Sequence, residues 1–402
     1  MTIWTTIGLF VALPALALAV TLLNLAVWPR GRRREEGANL HTSSGRLSVL
    51  IPARNEAETI EACIESIFES GVDLDEVVVY EDRSTDETAA IVEQMQGVFP
   101  RLRLVDGEPL PEGWVGKPHA CHRLVEESSG DTLVFVDADT TVEPGGLERL
   151  VSLLDDGPAG RAEMVTAVPG QRYGSFGERL VVPLLHLTYT SWLPLSLVWR
   201  SSDPRFLAAN GQLVAVRREA LEEVGGFAAI QGEIVDDMAL ARRMKEAGRK
   251  VVFADGWKMA RCRMYDSWRE VWQGFSKNLY EGIGGRVGML GFVVALYLAA
   301  FVLPYLGLAG WAVGAVGQTA GVGALAGVGC NVALRGLLAL RFRQPVEGLV
   351  LHPVGVLALV AIAVNSALWH LRGEIPWAGR VYAARTDRPG QTPDGEKPGG
   401  SP

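Results

Sequence analysis

Two long apolar blocks bracket a segment in which short apolar runs alternate with amphipathic ones. Residues 3–28 hold no charged side chain, and neither do residues 287–334. The first block predicts a helix of about 39 Å at 1.5 Å per residue, enough for a ~30 Å hydrocarbon core. A cleaved leader is the competing reading, and ALALA offers small residues for cleavage. No Lys or Arg precedes the run, however, and Arg30, Arg32, Arg33 and Arg34 follow it, the reverse of a leader. The order predicts an anchor over residues 1–30, with its N-terminus outside and the arginines in the cytoplasm.

The C-terminal block, residues 286–372, predicts spans over 289–308 and 349–371. Between them, residues 309–340 are rich in Gly and Ala and fit one long span or two short ones, because small residues let helices approach closely. Three or four C-terminal membrane helices are therefore expected. Four would return residues 373–402 to the cytoplasm, which the positive charge of Arg372, Arg380, Arg385 and Arg388 favours. The Pro- and Gly-rich end of this cytoplasmic tail is expected to be disordered.

The middle, residues 45–285, reads as alternating strand and helix. RLSVLIPA, DEVVVY, RLRLV and TLVFVDAD are short apolar runs with strand character. EAETIEACIESIFESG, the stretch after Ser84 and Thr85 as candidate caps, and KPHACHRLVEESSG are amphipathic and helical. This order predicts an α/β domain with a doubly wound, mainly parallel sheet. Residues 178–199 break the rhythm, being apolar but interrupted by Pro183, His186 and Pro194, with Trp192 and Trp199 near the end. An interfacial helix is the expectation there, with a buried core helix as the alternative.

Composition narrows the class. A formal net charge of -8 over 402 residues argues against a nucleic-acid partner. Cys63, Cys121, Cys262 and Cys330 are far apart and read as packing residues of a reduced compartment. His119, His122 and His186 lack metal-ligand spacing and read as packing residues too. What stands out is carboxylates at strand ends: Asp82 after DEVVVY, Asp137 and Asp139 after TLVFV, and the pair Asp236–Asp237 opening a helix. Ligands of such sheets bind at the carboxyl ends of strands. Asp137 and Asp139, one residue apart, would project to one side of an extended chain and share a hard cation with a diphosphate. Asp236 and Asp237 would sit where a helix dipole favours negative charge, but about 100° apart, so with different roles.

At these residues the sequence resembles the family 2 glycosyltransferases with the GT-A fold, most closely the membrane-bound members that glycosylate carotenoids and other lipids. LIPARNEAETI matches the opening strand and loop. EDRSTDET matches DDxSxD with Glu81 in place of the first Asp, and DAD matches the DxD metal motif. GQLVAVRREALEEVGGF and DDMALARRMKEAG match the acceptor-side block and the ED motif, with Asp236 replacing Glu. GWVGKPHA is similar to GWxGKxxA. The chain departs from the cellulose-synthase-like relatives in lacking QxxRW, having WQGFSK instead.

The resemblance implies roles. Pro52, Ala53, Asn55 and Glu56 would line the donor site, with Asp82 on a uracil and Ala138 between the metal-site residues Asp137 and Asp139. Lys117, Gln273 and Lys277 would approach the donor's diphosphate or sugar. Gly211, Gln212 and Trp272 would lie on the acceptor side. Asp237 would be the general base, with Asp236 beside it. GEIPWAGRVY implies a lid carrying Trp377 and Arg380. The expectation is an integral-membrane hexosyltransferase with a cytoplasmic catalytic domain in the inner or plasma membrane. It would use Mg2+ or Mn2+ to move a hexose, glucose first, from a UDP-sugar to a lipid such as a carotenoid, with inversion. A polyprenyl-phosphate glycosyltransferase, a processive polysaccharide synthase and a non-catalytic membrane scaffold are the rivals. Missing QxxRW weighs against the synthase, and intact Asp82, Asp139 and Asp237 weigh against the scaffold.

Overall fold

A computed structural model describes residues 3–32, 45–377 and 380–383. Arg33, Arg34 and residues 384–402, which include Arg385, Arg388 and the tail expected to be disordered, lie outside the described residues. In chain order the elements are α1 (Ile3–Val27), β1 (Leu47–Ala53), α2 (Ile60–Phe68), β2 (Glu76–Glu81), α3 (Thr88–Gln96), β3 (Leu102–Asp106), α4 (Gly116–Glu127), β4 (Thr132–Val136), β5 (Thr140–Val142) and α5 (Gly146–Asp156). There follow β6 (Met164–Gln171), α6 (Phe176–Val181), α7 (Leu184–Ser191), α8 (Ser196–Arg200), β7 (Leu213–Arg217), α9 (Arg218–Glu223), α10 (Asp236–Glu246), β8 (Val251–Cys262) and α11 (Trp268–Gly282). The last third holds α12 (Val287–Phe301), α13 (Leu303–Ala312), α14 (Gln318–Phe342), α15 (Val346–Val350), α16 (His352–Arg372), β9 (Glu374–Trp377) and β10 (Arg380–Ala383).

Eight strands form one sheet in the order β3-β2-β1-β4-β7-β6-β8-β5. The pairs β1–β2, β2–β3, β1–β4 and β6–β8 are parallel, and β7 and β5 enter antiparallel. The near-continuous apolar runs of the strands follow from burial on both faces. Val49, Ile51, Val77 and Val79 face one core, and Leu50, Val78 and Tyr80 the other. Parallel register brings the carboxyl ends of β1, β2 and β4 to one edge, where Ala53 sits opposite Glu81. The chain reversal at that edge gathers the motif residues.

Residues 178–199 are not one helix. Pro183 and Pro194 cannot donate to a helical ladder, and the segment divides into α6, α7 and α8. Of residues 178–199 only Thr188 is exposed. Trp192 packs against Tyr297 and Phe301, and Trp199 is buried. The expectation of one interfacial helix gives way to three short helices buried between the sheet and the apolar helices.

Among the described residues, three helices are long and apolar enough to cross a membrane, over Ile7–Val27, Gln318–Phe342 and His352–Arg372; α11 with α12, bent by 114°, adds a fourth if counted as one span. Residues 318–342 thus make one long helix, not two short ones. The expected span over 289–308 is interrupted at Val302. Pro304 has no N–H for the Ala300 carbonyl, and the buried Asn331 Nδ2 donates to that oxygen at 3.0 Å instead. Small residues let α1 and α14 touch closely: a Cβ on Gly327 would stand 2.2 Å from the Phe10 carbonyl oxygen.

The anchor is bound to the domain as well as tethered to it. Asn24, buried in α1, donates to the Thr190 and Leu193 carbonyls at 2.8 Å and accepts from Leu195 N at 2.7 Å. Where α1 and α14 reach the sheet, Asp255 of β8 pairs with Arg30 at 3.2 Å and with Arg341. Its backbone N–H donates to the Pro29 carbonyl at 2.7 Å. Helix α16 also meets the domain. Asn365 Nδ2 donates to Ser276 Oγ at 2.9 Å, and Tyr280 N to Ser366 Oγ at 3.0 Å.

Candidate active site

Loops at the carboxyl ends of β1 and β2 are stitched together. Asn55 and Arg83 both have φ near 55°, a left-handed conformation that costs non-glycine residues energy and here turns both loops inward. Asn55 N donates to Ser84 Oγ at 2.9 Å and Asn55 Oδ1 accepts from Thr85 N at 2.8 Å. Ser84 and Thr85 are therefore loop ties rather than helix caps. Helix α3 starts at Thr88, whose N–H donates to Asp86 Oδ1 at 3.1 Å. Glu81 accepts from Arg83 N at 3.1 Å and from Ser84 N, which gives the substitution in the motif a turn-holding role.

The DAD segment is a turn, not an extended chain. β4 ends at Val136, and Thr140 N donates to the Asp137 carbonyl at 2.9 Å. The extended backbone expected between Asp137 and Asp139 is replaced by this reversal, and both residues line one cavity. Asp137 is held by Lys117 Nζ at 2.6 and 2.8 Å. Lys117 thus approaches the site through a carboxylate. Burial opposes its charge, but Asp137 and Asp236 outweigh burial and hold its pKa well above the usual value. Asp139 is half-buried and accepts from Thr140 Oγ1 at 3.1 Å, and burial and the neighbouring Asp137 raise its pKa to about 6. Glu56 is raised to about 7, first by burial and further by Asp139, Asp137 and Asp86.

Two cavities meet at Asp139, which lines both. The first, about 810 Å³, is polar and includes Arg54, Asn55, Glu56, Asp86, Gln273 and Arg380. The second, about 430 Å³, contains Lys117, Asn210, Gly211, Gln212, Asp236, Asp237 and Lys277 at one end. Its walls also include Leu184, Leu185, Leu193, Met238, Leu279, Ile283 and Leu359 of α16. Gln273 and Lys277, four residues apart on α11, divide between the two. A Cβ on Gly274 would stand 2.2 Å from the hydroxyl oxygen of Tyr265, which lines both cavities. Glycine there lets α11 approach.

Asp236 and Asp237 open α10 in the second cavity. Burial raises both. Asp236 also faces Lys117 and Lys277, which act to lower it, whereas the next cause for Asp237 is repulsion from Asp236, and Asp237 rises to about 6. A Cβ at Gly211 would stand 3.3 Å from Lys117 Nζ and 3.4 Å from the Asp237 Cβ, so Gly211 packs closely against both.

Other expected residues fall where they support the site. Pro52 borders a small void beside Lys117, Asp137, Asp236 and Asp237, and the Ala53 carbonyl accepts from Asp82 N at 2.8 Å. Ala138 is buried. Gln212 Nε2 donates to Cys262 Sγ at 2.7 Å. Trp272 is not brought in: it packs on Trp268 and lines neither cavity. Asp82 is buried beneath Arg380, whose guanidinium donates to its two oxygens at 2.6 and 3.0 Å. The side chain of Trp377 lies outside the described residues. The histidines pack on aromatic rings, His119 and His122 on Trp114 and His186 on Phe342. All four cysteines are free thiols.

Among the described residues no group of three or more His, Cys, Asp or Glu encloses an ion site. Asp139, with Asp137 and Glu56 near it, is instead a cluster of half-buried carboxylates, in which burial first and neighbouring negative charge second raise the proton affinity of Asp139 and Glu56. Such a partial shell of hard oxygens suits Mg2+ or Mn2+ completed by a ligand's phosphates.

The parallel sheet, the gathered loops and the carboxylate cluster define a GT-A fold. The mannosyltransferase PcManGT from Pyrobaculum calidifontis, in complex with GDP-Man and Mn2+, superposes with a TM-score of 0.52 at 21% identity, covering 89% of this chain and 99% of that one. The sequence pattern of the family described as Glycosyl transferase family 2 matches residues 48–225. The chain carries a family 2 glycosyltransferase domain, and the protein is a glycosyltransferase. It is 26% identical over 282 residues to the 4,4'-diaponeurosporenoate glycosyltransferase of Staphylococcus aureus (strain MRSA252), over 69% of this chain and 72% of that one.

Proposed function

We propose that the protein is a membrane-bound, inverting hexosyltransferase that moves a hexose, glucose first, from a UDP-sugar to a membrane lipid of the carotenoid or terpenoid class. The catalytic domain faces the cytoplasm. One observation carries this reading: a polar cavity and a more apolar one share Asp139 in their walls, and the apolar one is lined both by Asp237 and by apolar side chains that include Leu359 of α16. A nucleotide sugar suits the first and a lipid chain the second. Exposed Val287, Met289, Phe292, Val354, Leu357, Val364 and Leu368 on α12 and α16 would face acyl chains. The acceptor class agrees with the relative named for diaponeurosporenoate.

In this mechanism Asp139, with Asp137, would hold Mg2+ or Mn2+, which would supply charge neutralisation at the leaving diphosphate. Asp237 takes the proton of the acceptor hydroxyl. That oxygen bonds to the anomeric carbon from the face opposite the diphosphate, the carbon–oxygen bond to the diphosphate breaks, and UDP leaves. Raising the Asp237 pKa towards neutrality makes it a stronger base while it remains ionised at pH 7. Lys117 and Lys277 offset the negative charge of the corner.

The test is UDP release from UDP-glucose by the purified, detergent-solubilised full chain, with and without Mn2+ and a terpenoid-containing lipid extract. Release is expected to need both, with label appearing in a lipid. Release indifferent to lipid, with no labelled lipid, would overturn the reading.

A further inference from the structure

Helix α16 is apolar and long enough to cross a bilayer, yet it stays on the catalytic domain from end to end. Just before it, Glu347 of α15 pairs with Arg179 of α6 at 2.9 Å. Helix α6 is itself fixed to the domain, through Glu178 and Arg263 at 3.2 Å. Near the start of α16, a Cβ on Gly355 would stand 2.8 Å from the Leu180 carbonyl oxygen of α6. Leu359 lines the cavity that holds Asp237. Further on, Asn365 and Ser366 bond to Ser276 and Tyr280 of α11, and His370 Nε2 lies 3.6 Å from a Glu281 carboxylate oxygen. β9 follows at Glu374, and Arg380 of β10 reaches Asp82. The 21 residues of α16 make about 31 Å of helix at 1.5 Å per residue. Were α16 to cross, one end would stand a bilayer's thickness of ~30 Å from the domain, but both ends touch it.

The neighbouring helices lead to the same topology. α1 and α14 run in one direction, since Gly323 packs on Ile7, Gly327 on Phe10 and Phe342 on Trp28, and Arg30 and Arg341 meet at Asp255. α13 runs the opposite way, with Pro304 beside Gly327 and Trp311 beside Gly321. The chain has therefore returned to the sheet by Phe342, before α16 begins. Another crossing would carry Arg380 away from Asp82. The outward face of α16 is nevertheless unsuited to water. Val354, Leu357, Ala361, Val364, Leu368 and Leu371 are exposed and recur every three or four residues as one stripe, while Gly355, Leu359, Ile362 and Ser366 opposite are buried. No Asp, Glu, Lys or Arg lies between His352 and Arg372. An apolar stripe of that length marks a contact surface, and its continuity with the lipid-facing helices selects lipid as what covers it.

We propose that α16 is an in-plane helix rather than a span, sunk in the cytoplasmic leaflet with its stripe among the acyl chains and its opposite face walling the acceptor cavity. The proposal rests on the reading of the chain as membrane-bound with a cytoplasmic catalytic domain. The partner is the hydrocarbon of one leaflet. An acceptor dissolved in that leaflet meets a cavity walled by a helix at its own depth, so its reactive end need not cross water to reach Asp237.

The experiment places one nitroxide at a time on a cysteine at Val354, Leu357, Ala361, Val364, Leu368 or Leu371 of the full chain in phospholipid vesicles. Cys330, the one cysteine that is not buried, is changed to Ser throughout. Relaxation by oxygen against a water-soluble nickel chelate reads the depth of each label. All six are expected at one depth, within about 5 Å, one turn of helix. A profile deepest near Ala361 and shallow at both ends belongs to a crossing helix and would overturn the proposal. In intact cells, Arg343→Cys and Arg372→Cys, on either side of α15 and α16, should both be shielded from an impermeant thiol reagent and both react once the membrane is opened. Reaction at 372 alone would also overturn the proposal. Reaction at both before opening would overturn the cytoplasmic reading and the choice of leaflet with it. Six labels all open to the nickel chelate would overturn the membrane-bound reading itself.

Discussion

Asp237→Asn keeps the size of the side chain and removes its ability to take a proton. Asp237 is half-buried in the wall of the apolar cavity, with Gly211 packed against it, so the isosteric change leaves packing intact. General-base help is typically worth about 10²–10⁴-fold, or about 3–5 kcal/mol of barrier. Transfer to lipid is therefore expected to fall at least about 10²-fold. Donor affinity should change little, since the polar cavity does not include Asp237. Asp236→Asn is the control: it removes a charge facing Lys117 and Lys277 and is expected to cost less. The pH profile adds a signature. Burial and Asp236 raise Asp237 to about 6, and the ionised form is the active one. Wild-type turnover should therefore fall about tenfold per pH unit below about 6, and residual Asp237→Asn activity should lack that limb. The assay is radiolabelled sugar in extracted lipid, with UDP binding measured in parallel. Loss of transfer and UDP binding together, or greater damage from Asp236→Asn, would refute the assignment.

Asp139→Ala should remove most Mn2+-dependent UDP binding while leaving the thermal transition in detergent in place; normal affinity in the variant, with EDTA inert on wild type, would count against the metal role. Leu359→Trp fills the α16 end of the apolar cavity and should raise the KM for lipid at least about tenfold without changing UDP affinity, at an overpacking cost of about 1–3 kcal/mol visible in thermal unfolding. Cysteines at Glu36 and Gln391 should both be shielded from an impermeant thiol reagent in intact cells, because Arg380 pairs with Asp82 and so lies on the domain's side; labelling at 391 alone would contradict that topology.

The parts of the fold that local pattern controls were legible. The runs that became β1 to β4 are apolar because both faces are buried, and α10 opens at Asp236 and Asp237 as a helix start favours. Residues 178–199 were harder. Their apolar character is shared by interfacial and core segments, and only the tertiary packing of Trp192 on Tyr297 separates the two. Lys117 was visible as a cation, but its partner Asp137 lies 20 residues on, at the end of the strand that follows α4. The Arg380–Asp82 pair spans 298 residues. No periodicity encodes such a contact.

Asp255 has a consequence for how the chain is made and handled. It is a buried carboxylate on β8, and its partners are Arg30 before the sheet begins and Arg341 near the end of α14. A ribosome finishes β8 long before residue 341 leaves the tunnel, so the sheet must wait with this charge half-neutralised until α14 has inserted. Maturation of the domain is thereby made contingent on membrane insertion of a helix about eighty residues downstream, since breaking a buried pair costs about 3–5 kcal/mol. Trimming the chain to residues 45–285 for work in water removes both arginines at once. Such a fragment should be recovered as aggregate, and Asp255→Asn within it should raise the soluble yield.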